Sequence, residues 1–358
     1  MNKAMRNDLK DVRVALMTSP TVFQYLGGLN IQIRETLAAL QKLGLQAELV
    51  DPVAVDLSTY DVIHAFSAIN GCQRIIQHAK AIGKVAIGSP LIRPHWTRSL
   101  GRQARFLDRV VGKLTGWNVQ TEYRHIASFL HESDHLIALG PIERQSINQA
   151  FNVPLDKISI VPNGIPQRFF KAEPDLFCRE YAVEPGFVLN VAEVCDHKNQ
   201  LTLVRALAGC GKTIVIVGET TQANESYLRE IQRFDNVKYV GRINYSDPLL
   251  ASAYAAAGAF CLPSNSEVMP LSVLESLAAG TKVVMTDQHG MDASRFGTFV
   301  RFIRPHDEQA IKEAVLRQIA ETDAAGCRQS VTDLTWESVA TQIAGIYLDA
   351  LRAAGKIS

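Results

Sequence analysis

The chain of 358 residues is long enough for two domains of ordinary size. Its residues are 47% apolar and 20% charged, as in a soluble globular protein, which excludes a disordered or fibrous chain. The net charge of +1 gives the whole molecule no attraction for nucleic acid, so any basic effect must be local.

The cysteines and the N-terminus indicate the compartment. The six cysteines show no CxxC or Cys/His metal spacing, so we expect reduced thiols and no structural metal. The N-terminal segment MNKAMRNDLKD lacks the apolar core of a signal peptide, and no apolar run approaches membrane-spanning length. We therefore expect a cytoplasmic protein without a transmembrane anchor.

Strand-like runs alternate with helical ones through the first half of the chain. The predicted strands are VRVALMTS (12–19), AELVDP (47–52), VIHAFS (62–67), KVAIGSP (84–90), HLIALG (135–140) and ISIVPN (158–163). Residues 30–43 and 73–82 are examples of the helices predicted between them. Gly27 and Gly28 precede the first of these helices, where glycine lets a ligand phosphate approach the backbone closely; the alternative is a plain turn.

The segment RSLGRQARFLDRVVGKLTGW (98–117) predicts a basic amphipathic helix. Helical spacing places five cations on one face: Arg98, Arg102, Arg105, Arg109 and Lys113. The opposite face is apolar and comprises Phe106, Leu107, Val110, Val111, Leu114 and Trp117. Such a helix is typical of a membrane surface or an anionic acceptor site. The alternative is a helix packed on its domain with a solvated basic face, and the sequence leaves both open.

A second series of strands and helices follows. Its predicted strands are FVLNVAEV (187–194), TIVIVGE (213–219), VKYVG (237–241), AFCLP (259–263), KVVMTD (282–287) and FVRFIR (299–304). The Pro- and Gly-containing segment 162–175 separates the two series. The pattern predicts an α/β protein with two Rossmann-like, doubly wound domains facing each other across a cleft. We place the domains at residues 1–166 and 167–335, with a C-terminal helix (336–358) packing back on the first.

Two glutamates stand eight positions apart in PSNSEVMPLSVLESLAAGTKVVMTD (263–287). Pro270 suits the first position of a helix, and the preceding Met269 cannot cap that helix with its side chain. The free first-turn amides and the helix dipole then form an anion site. Glu267 and Glu275 would accept hydrogen bonds from hydroxyl groups attached to the anion, which indicates a nucleotide sugar. The alternative is an exposed loop glutamate and a solvent-facing helix glutamate.

Taken together, these segments resemble the retaining glycosyltransferases of the GT-B fold, most closely the large family four. The resemblance rests on GGL (27–29), DVIHAFS (61–67), KISIVPNGI (157–165), HKNQLTLVRAL (197–207), VKYVGRI (237–243), the Glu-x7-Glu block and the closing helix from Trp336. It implies that Glu267 contacts the transferred sugar and Glu275 the ribose. It also implies a first domain that binds the acceptor, and a reaction in which the donor's phosphate serves as the base.

The resemblance leads to a set of site residues. The catalytic candidates are Glu267 and Lys198, and the donor-binding candidates are Gly27, Gly28, Lys198, Arg242, Met269, Pro270, Leu271 and Glu275. On the acceptor side the candidates are Ser89, His95, Arg98 and Arg102. No metal or other cofactor is expected, because the nucleotide sugar is a substrate.

Two positions depart from the family pattern. The family has a Gly-Arg pair before the lysine that holds the diphosphate, whereas this chain has Ala192 and Glu193 before Lys198. A carboxylate at the place of an arginine would repel a diphosphate, and His197 or Arg242 is a candidate for the missing cation. The histidine that many members carry after the fourth strand is also replaced, by Ser89.

The leading hypothesis is therefore a retaining hexosyltransferase. It would move a sugar from a nucleotide diphosphate to a hydroxyl of a glycan or lipid-linked acceptor, in polysaccharide or lipopolysaccharide synthesis. An anionic membrane surface is a candidate partner, which would place the protein on the inner face of the membrane; nucleic acid is not expected to bind. The alternatives are a non-catalytic nucleotide- or glycan-binding protein, which Glu193 supports, and a related chemistry such as epimerisation of a nucleotide sugar.

Overall fold

The computed structural model describes residues 8–24, 27–51, 53–69 and 71–357. Pro52, the last residue of the predicted strand 47–52, lies outside the described residues, as do Tyr25 and Leu26 before Gly27 and residues 1–7 of the N-terminal segment. The chain divides into two compact units: unit 1 comprises Met1–Gly164 and Trp336–Ser358, and unit 2 comprises Ile165–Thr335. The division after residue 164 lies two residues before the predicted boundary.

The core of unit 1 is a parallel sheet of six strands. The strands are β1 (Arg13–Met17), β2 (Gln46–Leu49), β3 (Val62–Phe66), β4 (Val85–Ser89), β5 (His135–Ala138) and β6 (Ile158–Ile160). Their order in the sheet is β2-β1-β3-β4-β5-β6, and every neighbouring pair is parallel. Every residue of the middle strands β3 and β4 is buried, as expected where helices cover both faces of such a sheet. The switch in strand order falls between β1 and β3.

Five helices connect these strands: α1 (Gly28–Lys42), α2 (Gln73–Ala81), α3 (Arg98–Thr115), α4 (Glu122–Glu132) and α5 (Pro141–Phe151). Thr97 and Thr121 cap α3 and α4, since each hydroxyl accepts a first-turn amide. Gly27 is the N-cap of α1 and supplies no side chain there.

Unit 2 contains the second sheet. Its strands are β7 (Val188–Val191), β8 (Ile214–Val217), β9 (Val237–Gly241), β10 (Ala259–Leu262), β11 (Val283–Thr286) and β12 (Val300–Ile303). They are parallel in the order β12-β11-β10-β7-β8-β9. The helices are α6 (Gln167–Phe170), α7 (Asp175–Tyr181), α8 (Gln200–Ala206), α9 (Glu225–Ile231), α10 (Pro248–Ala256), α11 (Leu271–Ala279), α12 (Glu308–Ala320) and α13 (Ala324–Gln329). In this unit the strand order switches between β7 and β10.

The last helix, α14 (Trp336–Ala353), belongs to unit 1 and contacts α1. Its Tyr347 hydroxyl lies 2.7 Å from Nδ1 of His64 on β3, and Nε2 of His64 lies 2.9 Å from the Ser89 hydroxyl on β4. All three side chains are buried. A buried polar network thus joins α14 to the sheet of unit 1, and both imidazole nitrogens of His64 have a partner in it.

The predicted fold class is confirmed: each unit is a parallel α/β sheet with helices, and each of the twelve predicted strand segments overlaps one strand of the structure. The observed strands are mostly shorter than the predicted segments, because several predicted segments include residues of the loop that follows the strand.

The buried imidazole predicts a pH dependence of stability. Burial lowers the pKa of His64 from 6.5 to about 3. Below pH 6.5 this histidine binds a proton in the unfolded chain, whereas in the folded chain it binds one only near pH 3. The free energy of unfolding therefore falls as the pH falls through this window. The limiting slope is about 1.4 kcal/mol per pH unit.

Urea unfolding at a series of pH values measures this contribution. We expect His64→Gln to be less stable at neutral pH and to lose part of the acid-side slope. His306→Gln, which changes an exposed histidine of unit 2, is the matched control and should keep the slope. Equal slopes in the wild type and in His64→Gln would contradict the prediction.

Candidate functional site

The strand order of unit 2 determines where a ligand site can form. In doubly wound sheets, ligands bind at the carboxyl ends of the strands where the order switches, which here means the ends of β7 and β10. The buried amide of Asn190 on β7 donates to the Cys261 carbonyl of β10 at 2.7 Å. The following loops also join, since the Asn265 amide donates to the His197 carbonyl at 2.9 Å. Residues 192–199 and 263–270 therefore form one continuous rim.

The central contact on this rim is an ion pair between the two catalytic candidates. Lys198 Nζ donates to Glu267 Oε1 at 2.6 Å, although the two residues are 69 positions apart in the sequence. The side chains are only 23% and 10% exposed. Such shielding strengthens the attraction relative to a surface pair, but it also removes the hydration of both charges.

The backbone of Glu267 is held by the loop after β11. Its amide donates to the Gln288 carbonyl at 2.8 Å, and its carbonyl accepts from the Gly290 amide at 3.1 Å. A side chain at Gly290 would lie 2.9 Å from the Val268 carbonyl oxygen, so this close approach requires glycine. The glutamate is thus fixed at main chain and side chain.

His289 lies between Gln288 and Gly290 and is buried in the loop after β11. Sequence reasoning did not identify it. Its ring stacks on Phe302 at 4.3 Å between centroids, and its Nδ1 accepts from the Met291 amide. Burial lowers the pKa of His289, which favours the neutral ring with the proton on Nε2. The dipeptide His-Gly, one residue after a predicted strand, was the available signal.

Helix α11 begins beside Glu267. Pro270 is its N-cap, with extended backbone (ψ 126°), and not its first residue as predicted; the helix begins at Leu271. The residue before the helix supplies no side-chain cap, as expected, because proline has no polar side chain. Met269 is buried, so its backbone is held at the start of the helix. The start of α11 therefore presents first-turn amides without a side-chain cap.

Glu275 is 3% exposed, on an otherwise apolar face of α11, and is not the solvent-facing residue of the alternative interpretation. The hydroxyl of the buried Tyr254 on α10 donates to Glu275 Oε2 at 3.0 Å. Burial and the neighbouring carboxylate raise the pKa of Tyr254, so the phenol stays protonated and serves as the donor. Tyr254 was not identified from the sequence, where it is one aromatic residue among alanines.

Arg242, a candidate for the missing cation, and Glu193, the acid at the family's arginine position, lie at different places in unit 2. Arg242 follows β9, two strands from β7, where it pairs loosely with Glu219 (3.7 Å) and donates to Asn244. Glu193 has an exposed side chain, and its carbonyl accepts from Gln200. Lys198 therefore pairs with Glu267 and not with Glu193.

Two donor candidates belong to unit 1. Gly27 and Gly28 lie at the start of α1, at the carboxyl end of β1 and the switch in strand order. Neither has a positive φ, and a Cβ at either position would meet no atom of the described chain within 4 Å. Local packing therefore does not explain these glycines, and open space lies beside both.

The acceptor-side candidates divide into two groups. Ser89 is 3% exposed and its hydroxyl bonds to His64, so the structure gives no support to an acceptor contact by this side chain. His95, Arg98 and Arg102 are exposed on the loop after β4 and the first turns of α3. Burial and the nearby Arg93 lower the pKa of His95.

A buried carboxylate braces the loop that carries His95. Glu143 of α5 accepts the Ile92 amide and the Leu139 amide, each at 2.7 Å. The neighbouring Leu91 has a positive φ of 57°, which is strained for a leucine and is held by these bonds. Sequence reasoning missed Glu143, although its place in the first turn after a strand was a signal.

Comparison with known proteins agrees with this geometry. Residues 186–321 match the family of glycosyl transferases group 1. Glycogen synthase of Mycobacterium tuberculosis is 29% identical over 261 residues, which cover 67% of this chain; the chain spans 61% of that relative's length.

Solved structures agree over a larger share of the chain. Sucrose-phosphate synthase from Thermosynechococcus elongatus superimposes with a TM-score of 0.75 at 19% identity, covering 96% of this chain and 100% of the other. Anabaena HepE, solved with UDP and glucose, gives 0.67 at 15% identity, covering 94% and 99%.

These likenesses define the class: the chain has the two-domain GT-B fold. Within that class, the match of residues 186–321 to the glycosyl transferases group 1 agrees with the predicted resemblance. The described residues contain no group of three or more His, Cys, Asp or Glu side chains placed to hold a metal ion.

The shielded ion pair predicts a strong energetic coupling. Removing one partner leaves the other charge shielded and unpaired, so Lys198→Met and Glu267→Gln should each lower the free energy of unfolding by about 1–3 kcal/mol. The double variant should cost clearly less than the two single changes together.

The same double-mutant cycle on Arg229 and Glu225 is the control. These side chains are 68% and 55% exposed, one helical turn apart, and their coupling should stay within about 0.5 kcal/mol. Additive effects at Lys198 and Glu267 in urea unfolding would show that the pair does not act as a unit.

Proposed function

We propose that this protein is a retaining glycosyltransferase that moves a hexosyl group from a nucleotide diphosphate sugar to a hydroxyl of its acceptor. The observation that carries the proposal is the ion pair of Lys198 and Glu267 at the strand switch of unit 2. It brings a cation and a sugar-binding carboxylate together beside an uncapped helix start, inside the matched family domain.

The diphosphate of the donor would bind between Lys198 and the first-turn amides of α11. An ammonium group and free backbone amides are both donors for phosphate oxygens. The same groups would stabilise the charge that builds on the leaving diphosphate. The UDP and glucose in the HepE structure belong to that protein, and they support a nucleotide-sugar donor here by analogy of fold.

Glu267 would position the transferred sugar. Its Oε1 accepts from Lys198, and a carboxylate has a second oxygen, which can accept a sugar hydroxyl. Because the main chain of Glu267 is bonded to the loop after β11, this oxygen has a defined direction. A change of this residue should therefore affect turnover more than donor affinity.

Glu275 would accept the ribose hydroxyls of the donor. A carboxylate in an apolar helix is costly, and the hydrogen bond from Tyr254 both lowers this cost and fixes the side chain. A buried carboxylate held in one direction by a hydrogen bond favours a binding role.

In the reaction, the bond between the anomeric carbon and the phosphate oxygen breaks, and a bond from the acceptor oxygen to that carbon forms on the same face. The acceptor proton passes to the leaving diphosphate, so no protein nucleophile is required. Lys198 holds the diphosphate in place for this transfer.

The acceptor that we include in the proposal is a glycan or lipid-linked hydroxyl, as in polysaccharide or lipopolysaccharide synthesis. The exposed His95, Arg98 and Arg102 support an anionic acceptor. A cytoplasmic protein at the inner membrane face would fit such an acceptor.

A second candidate is a nucleotide-binding protein without transferase activity. It is favoured by Glu193, whose exposed carboxylate occupies the position that the family gives to a phosphate-binding arginine. The two candidates differ in turnover, and both require donor binding by unit 2.

Calorimetry with UDP, ADP and GDP and their glucose conjugates tests donor binding. We expect one base to bind and Glu275→Gln to weaken that binding by at least tenfold, since a charge-assisted hydrogen bond contributes about 1.5–3 kcal/mol. Glu184→Gln, an exposed glutamate of unit 2, is the control and should bind normally. Unchanged affinity in folded Glu275→Gln would remove its ribose role.

Reversing the charge at residue 193 tests the departure from the family. Glu193→Arg should tighten donor binding about tenfold, because it replaces repulsion by attraction near the diphosphate. Glu184→Arg makes the same charge change elsewhere in unit 2 and should have little effect. If Glu193→Arg leaves the affinity unchanged, Glu193 does not face the diphosphate; if it creates turnover absent from the wild type, the non-catalytic candidate is favoured.

A further inference from the structure

Helix α3 packs on unit 1 through small and polar residues. Gly101 lies against the Ala150 backbone, where a Cβ would come within 2.3 Å of the carbonyl oxygen. Asp108 is buried and forms an ion pair with Arg124 of α4 at 2.8 Å. Gly112 lies under the Trp117 ring. The alternative that the sequence left open was a helix packed on its domain with a solvated basic face. Helix α3 does pack on unit 1, and the side that packs is the one that carries Gly101 and Asp108.

The apolar side chains of α3 consequently face solvent. Phe106 is 70% exposed, Leu107 59% and Leu114 82%. Trp117 and Val119, directly after the helix, are 45% and 53% exposed. We call these five residues the apolar stripe. Single exposed leucines are ordinary, but five large apolar side chains within fourteen positions form a patch, which usually marks an interaction surface.

Cations flank the apolar stripe. Arg98, Arg102, Arg109 and Lys113 are exposed on the adjoining arc of the helix, and within the described residues none has a carboxylate partner within 4 Å. Arg105 differs from the prediction: it turns inward and donates to the Tyr123 hydroxyl and the Ala150 carbonyl. The outward face of α3 is therefore apolar along one side and cationic along the other.

We infer that α3 binds an anionic lipid surface, with the apolar stripe in the boundary of headgroups and acyl chains and the four cations at the phosphates. A cationic flank with no acidic partner fits an anionic bilayer and opposes pairing with a second, identical copy of the same helix. No helix of the described residues is long and apolar enough to cross a membrane, so this is a surface contact. The inference deepens the proposed function by bringing unit 1 to lipid-linked acceptors, and it is testable without turnover.

Co-sedimentation of the full chain with vesicles tests the inference. We expect binding to vesicles that contain phosphatidylglycerol, little binding to phosphatidylcholine alone, and a loss of binding as salt is added. Changing Arg102, Arg109 and Lys113 together to serine should lower the partition coefficient about a hundredfold at low salt, since each cation contributes about a fivefold factor near an anionic surface. Changing Phe106, Leu107 and Leu114 together to serine should lower it at least about tenfold.

Matched controls distinguish vesicle binding through α3 from a general effect of net charge or of exposed apolar side chains. Changing the exposed Lys42, Lys171 and Arg233 to serine alters the net charge equally and should preserve binding. Changing the exposed Leu155 and Leu176 to serine should also preserve it. The changed side chains of the stripe and of its flank are exposed, so we expect unfolding midpoints close to that of the wild type in both α3 variants.

A fluorescence measurement adds a direct reporter. In Phe106→Trp, emission should shift to shorter wavelength on addition of anionic vesicles, relative to the same addition to wild type. Equal binding to neutral and anionic vesicles, binding to neither, or an equal loss in the control variants would overturn the inference. A dimer that the stripe variant abolishes would also overturn it and identify a second copy as the occupant. Vesicle binding without nucleotide binding would leave the inference standing and remove the proposed function.

Discussion

The adjacency of β7 and β10 is the constraint on which the site depends. These parallel strands are neighbours in the sheet only because the strand order of unit 2 switches between them. Their following loops must then meet, and Lys198 reaches Glu267 across 69 positions. Without this pairing the site would consist of a cation and an acid on separate loops. The same edge holds the start of α11, so uncapped first-turn amides and the Glu267 carboxylate share one rim.

Unit 1 shows the same dependence of function on close packing, at a different place. Gly101 lets α3 lie close to the backbone of α5, and the Asp108–Arg124 pair holds it there. Because these residues occupy the inner side, the apolar stripe and its cations remain outside. In unit 2 a buried acid, Glu275, is retained inside an apolar helix with Tyr254 as its donor. Both features give up ordinary hydrophobic burial, and the proposed donor site and the inferred lipid surface would account for them.

The periodicity of the sequence predicted both sheets, since twelve apolar runs bounded by turn residues are local signals. The family resemblance implied Lys198 and Glu267 as site candidates, but not their ion pair, because that contact depends on strand order. The side of α3 that packs on unit 1 was unpredictable for a similar reason. An amphipathic pattern shows two faces, and only the tertiary contacts decide which side of the helix is buried. Tyr254 acts through a hydrogen bond to a residue 21 positions away, which leaves no local pattern. Pro270 was predicted as the first residue of α11 but is its N-cap. Its backbone is extended, and proline permits the extended and the helical conformation equally well.

Lysine footprinting tests the central claim most directly, since it reports on Lys198 itself. The rate at which an amine-specific reagent labels each lysine would be measured by mass spectrometry, without ligand and with UDP, ADP or GDP and their glucose conjugates. The account predicts that the nucleotide that binds slows labelling of Lys198 strongly, while Lys212, Lys238 and Lys312 of the same unit change little. Protection at other lysines of unit 2, with Lys198 unchanged in the presence of a bound nucleotide, would contradict it.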